Sequence, residues 1–251
     1  FGFMASLERY AELRRRRPDV EILMGTGNLT ELTDADSQGV TALLMGVCSE
    51  LTIRNVLIVQ VSPHTRRTVE EHDAARRLMF RAREDTALPK SYGGGLLSLH
   101  DLKPWPQSPA DIAESAAAVR DLNYRIEAAE DGIHVYNRDR HLTSTQPFEL
   151  FPSLGVEDDG SHAFYLGYEL AKAEIAHALA KRYVQDQTLD WGVAADKRVE
   201  DLTRHSVEGV TLKAKAKEAA ARREAGRAAA EERDAVQPAR TTDGRRDTDQ
   251  D

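Results

Sequence analysis

The sequence predicts an α/β fold built on a parallel sheet or barrel. Two strand–loop–helix units in succession carry that prediction, and a hairpin signature further along adds an α+β part. In the first unit the short apolar run Val20 to Met24 enters Gly25-Thr26-Gly27-Asn28, and Val40, Leu43, Leu44, Val47 and Leu51 then recur at helical spacing. In the second, Val56 to Val61 is broken by Ser62-Pro63-His64-Thr65, and a helix follows to about Arg83, with Thr68 and Glu71 at the spacing of a capping box. Buried strands that alternate with amphipathic helices across short loops are the one-dimensional form of a parallel sheet.

The remaining elements follow the same rules. Leu7, Tyr10, Ala11 and Leu13 lie at helical spacing between Ser6 and Arg17, and Pro18 ends that helix. Past Pro89 the chain becomes a connector, with Gly93-Gly94-Gly95, one short strand at Leu96 to Leu99, and Lys103-Pro104-Trp105-Pro106. A helix is expected at Ile112 to Val119. Asn123 to Ala128 and Gly132 to Asn137 read as a hairpin, because Asp131-Gly132 supports a turn with positive φ and Tyr124, Ile126, Ile133 and Val135 alternate. Pro147 to Gly160 is expected to be irregular, with Phe148, Phe151, Phe164 and Tyr165 anchoring this aromatic stretch onto the α/β layer or, in the alternative, lining a pocket. His162 to Gln185 is the strongest remaining helix, with Phe164, Leu166, Leu170, Ala173, Ile175, Ala176 and Leu179 inward or nearly so. From Lys213 to Glu232 Ala, Arg and Glu interleave without an apolar stripe, which predicts a solvated, fraying helix and disorder from Val236. The expected organisation is a barrel-type part at 1–90, an α+β extension at 91–212 and a charged tail at 213–251.

Charge narrows the function classes. Lys and Arg total 34 against 42 Asp and Glu, a net charge of −8 that comes without a basic stripe and argues against nucleic acid as a partner. No apolar run reaches the roughly 18 residues a membrane helix requires, and no signal-peptide pattern opens the chain, so a cytoplasmic location without a membrane partner is expected. The one cysteine, Cys48, lies in an apolar helical pattern and reads as core rather than nucleophile. The chain opens Phe1-Gly2-Phe3-Met4, which is read as a fragment of something longer or as a remnant ahead of a start at Met4.

Two turns concentrate the chemistry. Gly25 to Ser37 reads G-T-G-N-L-T-E-L-T-D-A-D-S, and glycines after a strand let backbone N–H groups approach a ligand. Asn28 offers a donor and an acceptor at the C-terminal end of the strand, where α/β folds bind ligands. Glu31, Asp34 and Asp36 would repel a bare phosphate and suit a donor-rich heterocycle or a metal-bridged one; in the alternative reading the aspartates cap a helix and the glycines only turn the chain. Ser62 to Thr68, S-P-H-T-R-R-T, groups Ser62, His64, Arg66 and Arg67 at a helix start, a reasonable anion site or a solvated surface turn. His134, His141, His162 and His177 show no recognised metal-ligand spacing, so no metal site is expected.

Taken together, several strings resemble a known family. They are Phe1-Gly2-Phe3, G-T-G-N-L-T-E-L-T-D-A-D-S, R-D-L-N-Y-R-I-E, P-F-E-L-F-P, H-A-F-Y-L-G-Y-E-L and K-R-Y-V-Q-D-Q-T-L-D-W-G. They are similar to the C-terminal half of dihydropteroate synthase-like proteins from organisms that use tetrahydromethanopterin, over about Phe1 to Gly192. The resemblance implies a partial (β/α)8 pterin-binding barrel, with Val20 to Met24 and Val56 to Val61 as its last two strands, followed by an α+β C-terminal extension. It implies transfer of a hydroxymethylpterin group from its diphosphate to an arylamine, Mg2+ being admissible beside the diphosphate and no further cofactor being required. The Lys and Arg of true synthases would fall near Asn28 and Leu29 and near Gln60, Val61 and Ser62, so both cations are absent. The Gly-x-x-Asn arrangement is closer to pterin-dependent methyltransferases, which implies a pterin contact for Asn28 and leaves Arg66 and Arg67 to replace the lost charge. Asp34 and Asp36 join Asn28 as expected pterin-binding residues, and Ser62, His64, Arg66 and Arg67 are the expected phosphate contacts. The fragment by itself is not expected to turn over substrate. The second reading is a non-catalytic pterin-binding or interaction protein whose tail recruits a protein partner, and a homodimer is compatible with either.

Overall fold

The computed structural model describes residues 2–93, 95–197 and 221. The expectations for the charged tail at 213–251 lie outside the described residues except at Ala221, which is helical and exposed. The chain divides into two compact units, one of residues 1–155 and 166–200, the other of residues 156–165 and 201–251. In the second unit the described residues begin the long helix, where the Asp159 carboxylate accepts from the His162 N–H at 3.3 Å and meets His162 Nδ1 at 2.8 Å.

The first unit is a mixed α/β assembly with two small sheets. Helix α1 (Phe3–Arg16) precedes strand β1 (Leu23–Gly25), and α2 (Gly27–Glu31) and α3 (Ser37–Glu50) lead to strand β2 (Asn55–Leu57). The two strands pair in parallel, Leu23 with Asn55 and Gly25 with Leu57, so the intervening helices form a βαβ crossover. A 3₁₀ turn (Pro63–Thr65) and α4 (Thr68–Glu84) follow, and α4 packs on α3. Ile22, Met24, Met45, Cys48, Ile53 and Ala75 form the core beneath this sheet, with Tyr10, Val47 and Met79 closing over it. Arg14 fixes α1 to this core, because its guanidinium donates to the carbonyls of Val20, Leu51 and Thr52. Among the described residues the parallel sheet has two strands, and no closed barrel is present.

The second sheet is antiparallel, in the order β3 (Arg125–Ala129), β4 (Gly132–Tyr136), β5 (His141–Ser144). Its central turn places Gly132 at φ 145, a conformation that only glycine adopts without strain. Helix α5 (Pro109–Ala118) covers it through Ile112 and Ala116, against Ala129 and Tyr136. Ser108 and Asp111 form a reciprocal capping box at its start. A short helix α6 (Pro147–Leu150) and the long α7 (Gly160–Ala178) complete the elements that carry the site.

Several expectations are corrected. Thr68 and Glu71 make no capping box, because Glu71 is buried and turns its carboxylate to Ser37 on α3. Leu96 to Leu99 is not a strand: the Val193 N–H meets the Gly95 carbonyl at 2.8 Å, but no ladder continues from it. The stretch expected to be irregular holds α6 and a 3₁₀ turn at Phe151–Ser153. Its phenylalanines do not anchor it, since Phe148 is 91% and Phe164 79% exposed, with Phe151 also exposed, while Tyr165 is half-buried; Ile175, expected inward on the long helix, is exposed as well. Leu150 and Leu154 are buried instead, and Tyr124 donates to the Leu154 carbonyl at 2.6 Å. Helix α7 stops at Ala178 rather than Gln185, because Ala180 takes φ 47 and the Lys181 N–H returns to the Ala176 carbonyl, the Schellman stop.

Candidate ligand-binding site

Parallel pairing puts the C-terminal ends of β1 and β2 on one edge, so the turns that follow them share a rim. Asn28 is exposed on α2, a helix where a loop was expected. Asp34 and Asp36 are exposed ahead of α3, and Asp36 stands at its N-cap position without a side-chain hydrogen bond. Gly27 has no room for a side chain, since a Cβ there would lie 2.5 Å from the Val59 backbone nitrogen. The two turns therefore touch through backbone.

A carboxylate joins them. Glu31 accepts from the Val61 N–H at 2.7 Å, the Ser62 N–H at 3.1 Å and the Thr65 hydroxyl at 2.5 Å. Hydrogen bonds from Ser62 and Thr65, and then from Val61, hold its pKa down to about 2. The anion-holding groups of the Ser62 turn are thus occupied by the protein's own carboxylate. His64 turns inward too, its Nε2 lying 3.0 Å from the Thr30 carbonyl.

Beneath the rim lies a buried polar layer of Thr26, Thr30, Ser37, Thr65, Glu71 and His72. Ser37 Oγ lies 3.1 Å from the His64 carbonyl and 2.7 Å from Glu71 Oε2. One hydroxyl proton cannot serve both acceptors, so a protonated Glu71 satisfies the pair. Burial pushes the Glu71 pKa up, and burial pushes that of His72 down.

Arg66 and Arg67 lead away from this layer into a half-open cleft of about 630 Å3, whose other lining residues include Tyr168, Lys172, Trp191 and Asp196. Arg67 is fixed, with Nη1 2.8 Å from Asp196 Oδ1 and Nε donating to the Val193 carbonyl at 3.1 Å. Lys172 is buried, 2.7 Å from Glu169 Oε1, and stands 4.7 Å from the Tyr168 ring centre. Arg66 is exposed and has no ion-pair partner among the described residues. Of the expected site residues, then, Arg66 and Arg67 meet in the cleft, Ser62 and His64 are bound within the rim, and Asn28, Asp34 and Asp36 stand on the rim outside the cleft lining. Tyr168, Lys172 and Trp191 were not anticipated. For Tyr168 and Trp191 the signal was the aromatic content of H-A-F-Y-L-G-Y-E-L and K-R-Y-V-Q-D-Q-T-L-D-W-G in a chain that is only 6% aromatic, whereas Lys172 lies outside both strings.

Other chemical groups are engaged structurally. Cys48 is buried and burial pushes its thiol up to about 11, which leaves it unreactive. His134 sits between Asp131 Oδ1 at 2.8 Å and His141 Nε2 at 2.9 Å, a hydrogen-bonded chain on the second sheet. Among the described residues no three His, Cys, Asp or Glu side chains gather as a metal site, and no helix is long and apolar enough to cross a membrane.

No protein family model matches the chain, and no solved structure matches it. Among curated proteins, an uncharacterized protein of Methanocaldococcus jannaschii is 28% identical over 205 residues, which cover 74% of this chain and 39% of that protein. The chain therefore spans well under half the length of this archaeal relative.

Proposed function

We propose that the chain carries the ligand-binding rim of a dihydropteroate synthase-like pterin-binding protein, its parallel strands being the last strands of a (β/α)8 barrel and its second sheet part of an α+β extension. One observation supports this above the rest: the Asn28 turn and the Arg66 turn follow adjacent parallel strands at the same edge of the sheet. Asn28 and the exposed Asp34 or Asp36 supply donors and acceptors for a heterocycle. Arg66, whose guanidinium has no ion-pair partner among the described residues, supplies charge for a diphosphate. In the transfer reaction the arylamine nitrogen attacks the pterin methylene carbon, the C–O bond breaks toward the diphosphate, and the amine loses a proton. Charge on the leaving group is what the protein has to hold.

Glu31 favours a second reading, pterin binding without transfer, because it already fills the backbone N–H groups that a leaving diphosphate would use. Calorimetry on the full-length protein with hydroxymethylpterin diphosphate, followed by an assay for released diphosphate with an arylamine present, decides between them. Binding with release that Arg66→Ala abolishes supports transfer. Binding without release supports the second reading, and an absence of binding rejects both.

A further inference from the structure

We propose that Trp191 is the stacking platform of the cleft and that the buried Lys181 ammonium holds it. The inference rests on the pterin reading for the identity of the flat ligand, and on the cleft alone for the platform.

Lys181 is 0% exposed, and its Nζ has no hydrogen-bond partner among the described residues. Its nearest carboxylate oxygen, Asp101 Oδ2, is 3.8 Å away. An ammonium so placed has given up its water and gained little direct hydrogen bonding, a costly state for a structural residue. What it has gained is the indole of Trp191, with Nζ 5.0 Å from the ring centre, a distance at which the ring quadrupole attracts a cation. Trp191 is half-buried and lines the cleft, whereas Lys181 is fully buried and does not line it. The indole therefore meets both the buried cation and the open cleft.

The backbone around the ring is fixed as well. Gly192 has φ 54, and a Cβ there would lie 2.4 Å from the Gly95 carbonyl oxygen, so the chain beside Trp191 is pressed against the connector. The Arg67 guanidinium holds the Val193 carbonyl and Asp196, just past Trp191 in the chain. A flat ring stacked on Trp191 would leave its charged substituent to Arg66, the cleft cation without an ion-pair partner among the described residues.

Trp105→Phe leaves Trp191 as the sole tryptophan of the chain, which has two. Hydroxymethylpterin should then quench Trp191 emission with the affinity that calorimetry gives. Trp191→Leu should weaken that affinity about ten-fold or more, as expected for a lost base-type stack, while Trp191→Phe restores most of it. Lys181→Met should shift the Trp191 emission spectrum and weaken the pterin several-fold while leaving inorganic diphosphate unaffected. Calorimetric pterin binding with unchanged Trp191 emission and an unchanged affinity in Trp191→Leu overturns the platform and leaves the pterin reading intact. Quenching by phenyl phosphate without any pterin binding keeps the platform and rejects the pterin reading. No quenching by either flat ligand overturns the platform.

Discussion

Glu31 bridges the two turns of the rim, Glu71 lies in the buried layer beneath it, and the two respond to pH with opposite signs. Glu31 has a pKa lowered from its ordinary 4.5 to about 2, so the charged form is bound more tightly in the folded chain than in the unfolded one. Its contribution is present above pH 4.5 and is lost as the pH falls toward 2. Glu31→Gln should remove that acid-side slope and lower stability at neutral pH, as read from urea midpoints of both proteins between pH 2 and 7. Equal midpoints at neutral pH would show that the carboxylate does not hold the turns together. Glu71 is raised above 4.5 by burial, so it stabilises most when protonated, and that contribution declines as the pH rises past 4.5. Glu71→Gln mimics the protonated acid and keeps a partner for Ser37. It should be at least as stable as the parent at pH 7 and lose the decline above pH 4.5. A destabilised, still pH-dependent variant would mean that the ionised carboxylate is the native form.

Three helices end on a residue that carries a side chain in the left-handed region. Thr52 at φ 54, Thr86 at φ 50 and Ala180 at φ 47 each stand at the C′ position, and the following N–H returns to the carbonyl of Cys48, Ala82 and Ala176 respectively. Two of the three are β-branched, the type least suited to positive φ. Thr86→Gly should therefore stabilise the chain by about 0.5–1 kcal/mol, the relief of strain exceeding the added entropy of the unfolded glycine. Thermal melts of the two proteins check this, and a loss of stability would place the Thr86 side chain in a contact that matters. The same stops explain what was hidden in the sequence. Strand and helix existence was legible from Val20 to Met24, Val56 to Val61 and the Asp131-Gly132 turn, because hydrophobic periodicity is a local signal. The end of α7 at Ala178 was not, since Ala180 carries no glycine to announce it. β5 escaped because His141–Ser144 has one apolar residue, Leu142, and is a strand only through its ladder to β4. In the site, Arg66 and Arg67 were legible as a basic turn. Glu31 was read as a repulsive charge because its partners, Val61, Ser62 and Thr65, lie some thirty residues on in sequence.

At the scale of the whole molecule, the two-stranded parallel sheet has helices on one face. Met24 and Val56 pair toward the core, and the residues on the other face include Leu23 at 60% and Leu57 at 53% exposure. Parallel sheets are usually covered on both faces, so these leucines are the sites where burial in solution and burial in the structure can be compared. If the outer face is bare, replacing both leucines removes no packed contact. Leu23→Thr combined with Leu57→Thr should then change stability by less than about 0.5 kcal/mol, the usual range for surface positions. It should also reduce any self-association seen by sedimentation, because two adjacent leucines beside open strand edges favour intermolecular pairing. A loss of several kcal/mol in the urea midpoint would instead mean that the face is covered in solution, since only packed leucines cost that much on truncation. Because Thr is β-branched and suits a strand at least as well as Leu, a large effect could not be assigned to the backbone. The same pair of variants also tests the site, because the rim that holds Asn28 and Arg66 is set by the pairing of these two strands. If the outer face is bare, pterin affinity should survive both substitutions unchanged.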